Sequence, residues 1–145
     1  MFKNNKIILF TISFFIILTL IIGGFYVLHE KKREHYIDIQ KKRIEMYFAE
    51  NVSSYHKIEI TKTEQNPITI YLIKGYINDD KKLYFTATMD GSSNYQFDNQ
   101  IGISEKLSNM FKSQSKPDKF PSQIIKEKNL NENDYKADPP IIFSF

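Results

Sequence analysis

From Ile7 to Leu28 the chain reads IILFTISFFIILTLIIGGFYVL, without a single charge. As a helix rising roughly 1.5 Å per residue, this stretch spans about 33 Å, enough to cross a bilayer core of about 30 Å. The hydroxyls of Thr11, Ser13 and Thr19 can bond to the preceding turn, while Tyr26 and His29 fall where interfacial anchors sit. The pattern changes at once beyond the apolar run. Residues 29–50 lack Gly and Pro and are rich in charge, and Tyr36, Ile37, Gln40, Ile44, Tyr47 and Phe48 recur at helical spacing. That spacing predicts a juxtamembrane helix continuing the membrane helix, with one stripe available for packing. Glu30 and Glu34 bracket Lys31, Lys32 and Arg33, and Asp38 and Glu45 bracket Lys41, Lys42 and Arg43, the pattern of a solvated face. A basic surface touching anionic lipid headgroups is the sharper alternative.

After residue 51 the period becomes two. Ile58 and Ile60 alternate with Lys57, Glu59 and Thr61, which predicts a half-buried strand. Residues 68–77 (ITIYLIKGYI) are apolar on both faces, as in an inner strand, with Gly75 marking a bulge or a close approach. A turn over 78–82 leads to a third strand, where Leu83, Phe85, Ala87 and Met89 alternate with Tyr84, Thr86 and Thr88. Asp90-Gly91 then turns the chain into a fourth strand expected around Tyr95 and Phe97. A second helix is expected from Ser104, with Ile103, Leu107, Met110 and Phe111 on one side, followed by a polar loop over 112–119. Pro121 can open a short helix around Ile124 and Ile125, and residues 129–136 read as a surface turn. Asp138-Pro139-Pro140 leads into the apolar run Ile141 to Phe145, expected to pack on the sheet, pair with an edge strand or bind a partner.

These elements define an α+β protein: an N-terminal transmembrane helix, then a helix packed on a four-stranded antiparallel meander, with short C-terminal helices. The arrangement resembles the cystatin-like one, in which a curved sheet grips one helix. The chain divides into a basic N-terminus (1–6), the transmembrane helix (7–28), the juxtamembrane helix (29–50) and a small α+β domain with a Pro-Pro apolar tail (51–145).

Charge refines the picture. The formal net charge is +3, but Lys3 and Lys6 precede the apolar run and all 17 acidic residues follow it, so the remainder carries only +1. Such a balance argues against nucleic acid, which requires a basic face. With no cysteine, disulfides, thiolate metal sites and lipid-modified cysteines are excluded. Counting Lys and Arg on either side of the span puts the larger domain inside the cell. A short basic N-terminus followed at once by a long apolar run is instead how signal anchors begin, and on that pattern the domain is expected outside. A cleaved signal peptide competes with the anchor, although Ile22 suits a small-x-small cleavage site poorly.

Candidate chemistry is sparse. His29, His35 and His56 do not have metal-ligand spacing, and Gly91-Ser92-Ser93 is a hairpin tip rather than a nucleophile elbow. Asp79, Asp80 and Asp90 sit in turns. No cofactor, metal or catalytic residue is therefore expected, and the chain reads as a non-enzyme. Aromatic residues suggest recognition instead. Tyr71, Tyr84 and Tyr95 are expected to share a patch on the sheet face away from the helix, and Pro139, Pro140 and Phe143 complete the candidate partner-binding set.

The stretches at 62–87 (KTEQNPITIYLIKGYINDDKKLYFTA), 121–143 (PSQIIKEKNLNENDYKADPPIIF) and 43–48 (RIEMYF) carry a resemblance. In them the chain is similar to a family of small staphylococcal membrane-anchored proteins of unknown function, domain of unknown function family 1433. The resemblance implies a Gram-positive cell envelope and brings no site residues with it. The expected function is a non-enzymatic, single-pass, extracytoplasmic protein-interaction module with an unknown protein partner, immunity-like or inhibitor-like in one form. The alternatives are a small-ligand or lipid-binding envelope domain, with a pocket lined by Tyr47, Tyr71 and Phe85, and an envelope hydrolase built around His56.

Overall fold

A computed structural model describes residues 2–66 and 70–140. The start of the second predicted strand and the apolar tail, Phe143 included, lie outside the described residues. The chain forms helix α1 (Phe2–Asn51), strands β1 (Ile58–Gln65), β2 (Tyr71–Ile77), β3 (Asp80–Met89) and β4 (Gln100–Ile103), and helices α2 (Glu105–Ser108) and α3 (Pro121–Glu127). Single 3-10 turns cover Gly91–Ser93 and Glu132–Tyr135. The strands form one antiparallel sheet in the order β1-β2-β3-β4.

The apolar run and the juxtamembrane segment are one unbroken helix of 50 residues, about 75 Å long at helical rise. Its two halves have different surroundings. The large apolar residues from Ile7 to Leu28 are exposed, which leaves a helix long and apolar enough to cross a membrane. From Tyr36 onward one stripe turns inward: Tyr36, Ile39, Gln40, Arg43, Ile44, Tyr47 and Phe48 are all buried. That stripe faces Tyr71, Ile73 and Ile77 of β2 and Leu83, Phe85, Ala87 and Met89 of β3, whose alternation points them to the same side. Rings fill the space between. Tyr47 sits 5.0 to 6.0 Å from Phe48, Phe97, Phe111 and Phe120, and Phe48 lies 5.1 Å from Phe85. The region expected to be a pocket, between Tyr47, Tyr71 and Phe85, is thus part of a packed core in which all three side chains are buried.

Gly75 is a close approach. A Cβ there would lie 2.1 Å from the Glu59 carbonyl oxygen and 3.0 Å from the Phe85 ring. The neighbouring register of β1 slips between Ile60 and Lys62, so Thr61 is an extra residue, and its hydroxyl donates to the Lys74 carbonyl at 3.2 Å. The β2–β3 hairpin turns through Asn78 and Asp79, both at positive φ (54° and 58°), as a two-residue turn of the primed kind requires. It is shorter than the predicted turn, so β3 already begins at Asp80.

Two elements depart from the sequence reading. Tyr95 and Phe97 are not in a strand, and β4 begins only at Gln100. Asn94 and Tyr95 have positive φ, and the Phe97 backbone bonds to helix side chains: its N–H donates to Gln40 Oε1 at 2.7 Å, and its carbonyl accepts from Arg43 Nε at 2.9 Å. A backbone so engaged is withdrawn from a sheet ladder. The second helix stops at Ser108. Beyond it the Met110 carbonyl accepts from the Ser53 N–H, the Lys112 N–H donates to the Asn51 carbonyl, and Phe111 bridges Val52, so the chain pairs with the end of α1 instead of coiling on. Pro121 opens α3 as predicted, with Ile124 and Ile125 buried.

Candidate functional site

One face of α1 carries a ladder of polar side chains at i+3 and i+4 intervals, and each rung holds a loop from the second half of the chain. The Tyr36 hydroxyl donates to the Tyr95 carbonyl at 2.5 Å, and Gln40 Nε2 donates to Gln96 Oε1 at 2.8 Å. Arg43, only 3% exposed, donates to the carbonyls of Phe97 and Tyr135, to Asp98 Oδ1 at 3.1 Å and to Ser122 Oγ. The Tyr47 hydroxyl donates to Asp118 Oδ2 at 2.7 Å, and Asn51 exchanges two bonds with the Lys119 backbone. Gln96 extends the ladder by donating to the Ala137 carbonyl at 2.8 Å. The described residues leave no buried side-chain polar atom without a partner.

Burial pushes the Tyr36 and Tyr47 phenols well above the ordinary range, with the Asp118 carboxylate adding to the effect on Tyr47. Burial also lowers the Arg43 guanidinium, against the pull of Asp98. These shifts accompany bonds that join elements together, so the ladder reads as a clamp rather than as acid–base machinery. Arg43 is the residue the sequence reading missed. Taken as part of a solvated charge bracket, it stands three residues after Gln40 and four before Tyr47, on the packing stripe itself; the helical period alone locates it.

The sheet face away from α1 is built differently. Cross-strand register lines up Glu59, Tyr76 and Tyr84, then Lys62, Lys74, Thr86 and Gly102, then Glu64, Leu72, Thr88 and Gln100. Ion pairs lace one side: Glu64 bonds to Lys62 and to Lys74, which together hold its carboxyl down to about 2, and Lys57 pairs with Asp79 at 2.8 Å. Tyr84 is 58% exposed beside the half-buried Tyr76.

The expected patch of Tyr71, Tyr84 and Tyr95 is not one surface. Tyr71 is buried on the helix side, its ring 5.1 Å from Tyr36 and its hydroxyl donating to the Pro140 carbonyl at 3.3 Å. Strand parity is the reason: Tyr71 lies an odd number of residues from Tyr76, so the two point to opposite faces. Tyr95 sits in the 94–98 loop beneath Tyr36, and Tyr84 faces outward. Pro139 is half-buried and Pro140 buried, and they lie against the same end of the core as Tyr71. His56 is exposed at the foot of β1, its backbone N–H donating to Asn78 Oδ1. Among the described residues, no three His, Cys, Asp or Glu side chains gather where one metal ion could bind.

The fold is therefore that of a small α+β domain carried on the end of a long apolar-to-amphipathic helix. Residues 36–126 match the model of DUF1433, a family described as protein of unknown function, and the chain belongs to that family. Neither a curated protein nor a solved structure matches the chain.

Proposed function

We propose that the protein is a non-catalytic, membrane-tethered interaction module whose domain stands outside the cytoplasmic membrane and binds a protein partner through the outer face of its sheet. The observation that carries this reading is Tyr84. It is 58% exposed, paired across the strands with Tyr76, on a sheet whose other face is covered by the chain's own helix. Exposed aromatic residues with ion-paired neighbours are the composition of a recognition surface with a polar rim. The span supports tethering, because α1 enters the domain core without a break and any weak site on the sheet would act at the raised local concentration of a surface. An immunity-like or inhibitor-like pairing with a secreted protein is one form such a module takes.

Two measurements test it. A photo-crosslinking phenylalanine analogue at Tyr76, the cross-strand neighbour of Tyr84, is expected to give one discrete protein adduct in native membranes that Tyr84→Lys abolishes; lipid adducts alone would refute the partner surface. Since the chain has no cysteine, Lys81→Cys, at an exposed position beside the β2–β3 turn, reports orientation. Labelling of intact cells by a membrane-impermeant maleimide is expected, and labelling only after lysis would put the domain in the cytoplasm.

A further inference from the structure

The last described stretch of the chain descends along α1 toward the apolar run. The Tyr135 carbonyl accepts from Arg43 Nη1 at 3.0 Å, and the Ala137 carbonyl accepts from Gln96 Nε2, whose own Oε1 accepts from Gln40. The Pro140 carbonyl accepts from the Tyr71 hydroxyl at 3.3 Å, and the Tyr71 ring packs on Tyr36. From Tyr135 to Pro140 the chain therefore passes from the level of Arg43 to that of Tyr36, about 10 Å down the helix axis. We infer that the run after Pro140, Ile141 to Phe145, continues this descent and forms a second membrane foot, with its apolar side chains at the headgroup–acyl boundary of the bilayer. The inference rests on reading α1 as a membrane span.

Depth and reach agree. Tyr36 stands about 12 Å along the axis beyond Leu28, where the apolar run ends. The headgroup layer fills roughly the first 5–8 Å of that distance, and the exposed Lys31, Lys32 and Arg33 stand at that height. Residues 141–145 cover about 10 Å at the pace of the stretch before them and about 17 Å fully extended, which brackets the distance to the acyl boundary. Phe145 reaches the boundary, and Phe143 falls within the headgroup layer, a depth that suits aromatic rings.

Composition fits the destination. Residues 141–145 are two isoleucines and two phenylalanines with one serine, and they carry no charged side chain. The space between α1 and the sheet is already packed, and the Tyr36 and Tyr71 rings, 5.1 Å apart, fill its membrane-proximal end. Lipid is then the nearest apolar medium that can take such a run out of water. With α1 as one foot and this run as the other, the domain keeps a set tilt over the bilayer, which fixes the direction in which its outer sheet face is presented.

Because the chain holds no tryptophan, a single introduced tryptophan reports one position of the full chain in phosphatidylcholine nanodiscs. Phe145→Trp is expected to emit at short wavelength and to lose about half or more of its fluorescence in phosphatidylcholine brominated near the top of the acyl chains. Tyr84→Trp, beside the β2–β3 turn at the other end of the sheet, should stay unquenched. Adding Ile142→Asp and Phe143→Asp to the Phe145→Trp chain is expected to reduce the quenching about fivefold, because each carboxylate opposes entry into lipid. Unchanged quenching in that variant would overturn the inference, since the tryptophan alone would be seeking lipid. Short-wavelength emission that brominated lipid leaves untouched would overturn it in favour of packing on the domain, and long-wavelength, unquenched emission in favour of a solvated tail. Phe15→Trp, inside the apolar run, keeps the two readings apart. If it too is unquenched, the membrane span fails; if it is quenched while Phe145→Trp is not, only the second foot is refuted.

Discussion

A Cβ at position 75 would meet backbone at 2.1 Å, and backbone in the middle of a sheet cannot step aside as a side-chain tip can. Gly75→Ala is therefore expected to lower stability by about 2–3 kcal/mol, the range of overpacking in a tight core, measured by denaturant unfolding of the full chain in micelles. A loss under about 0.5 kcal/mol, typical of a neutral surface change, would mean that β1 can move away from β2. Arg43 makes the complementary case. Arg43→Ala would strip two backbone carbonyls and Asp98 of their donor inside the domain, and losing one partner of a buried pair costs about 3–5 kcal/mol. Lys41→Ala, two residues away on the exposed face and paired with Glu45 at only 4.0 Å, should change stability by less than about 0.5 kcal/mol. Similar losses in both variants would contradict the clamp.

At the scale of elements, α2 depends on its cap. The Ser104 hydroxyl accepts from the Leu107 N–H and donates to the Lys82 carbonyl at 2.7 Å, so one side chain both starts the helix and ties it to β3. Ser104→Ala is expected to cost about 1–2 kcal/mol, and Ser104→Asp, which keeps the acceptor and loses the donor, should recover part of it. Local chemistry of this kind also decides what could be read in advance. The long helix, three strands, the Gly75 approach and the Pro121 start follow from period, turn residues and a missing side chain, all written within a few neighbouring positions. The true start of the fourth strand is not legible locally, because the fate of residues 94–98 is decided by Gln40 and Arg43, more than fifty positions earlier. The aromatic patch failed for a smaller reason. Residue type alone groups Tyr71, Tyr84 and Tyr95, whereas the alternation along β2 sends Tyr71 inward and leaves Tyr76 as the outer neighbour of Tyr84.

For the molecule as a whole, electrostatics and burial set two opposite limbs of a pH profile. Glu64 is held at about 2 by Lys62 and Lys74, and Asp80, Asp90 and Glu127 are lowered by bonds from Lys106, Ser92 and Lys119. A carboxyl with a lower pKa folded than unfolded binds fewer protons in the folded chain between the two values. Its stabilisation is complete above about pH 4.5 and is lost as pH falls toward 2. The phenols of Tyr36, Tyr47 and Tyr55 are raised, chiefly by burial. The folded chain keeps protons that the unfolded chain releases above about pH 10, so stability falls again on that side. Salt should separate the limbs. The ion-paired part of the acidic limb, from Glu64, Asp80 and Glu127, is expected to flatten when ionic strength rises from about 0.01 M to 1 M, as screening shortens from about 30 Å to 3 Å, while the Asp90 part, held by Ser92 hydrogen bonds, stays. The alkaline limb comes from burial and should persist. Thermal unfolding of the full chain in neutral detergent, from pH 2 to 11 at both salt levels, measures this directly. If the alkaline limb vanished in salt along with the acidic one, the ladder tyrosines of α1 would not be buried against the loops they bond, and the clamp joining the long helix to the rest of the domain would have to be abandoned.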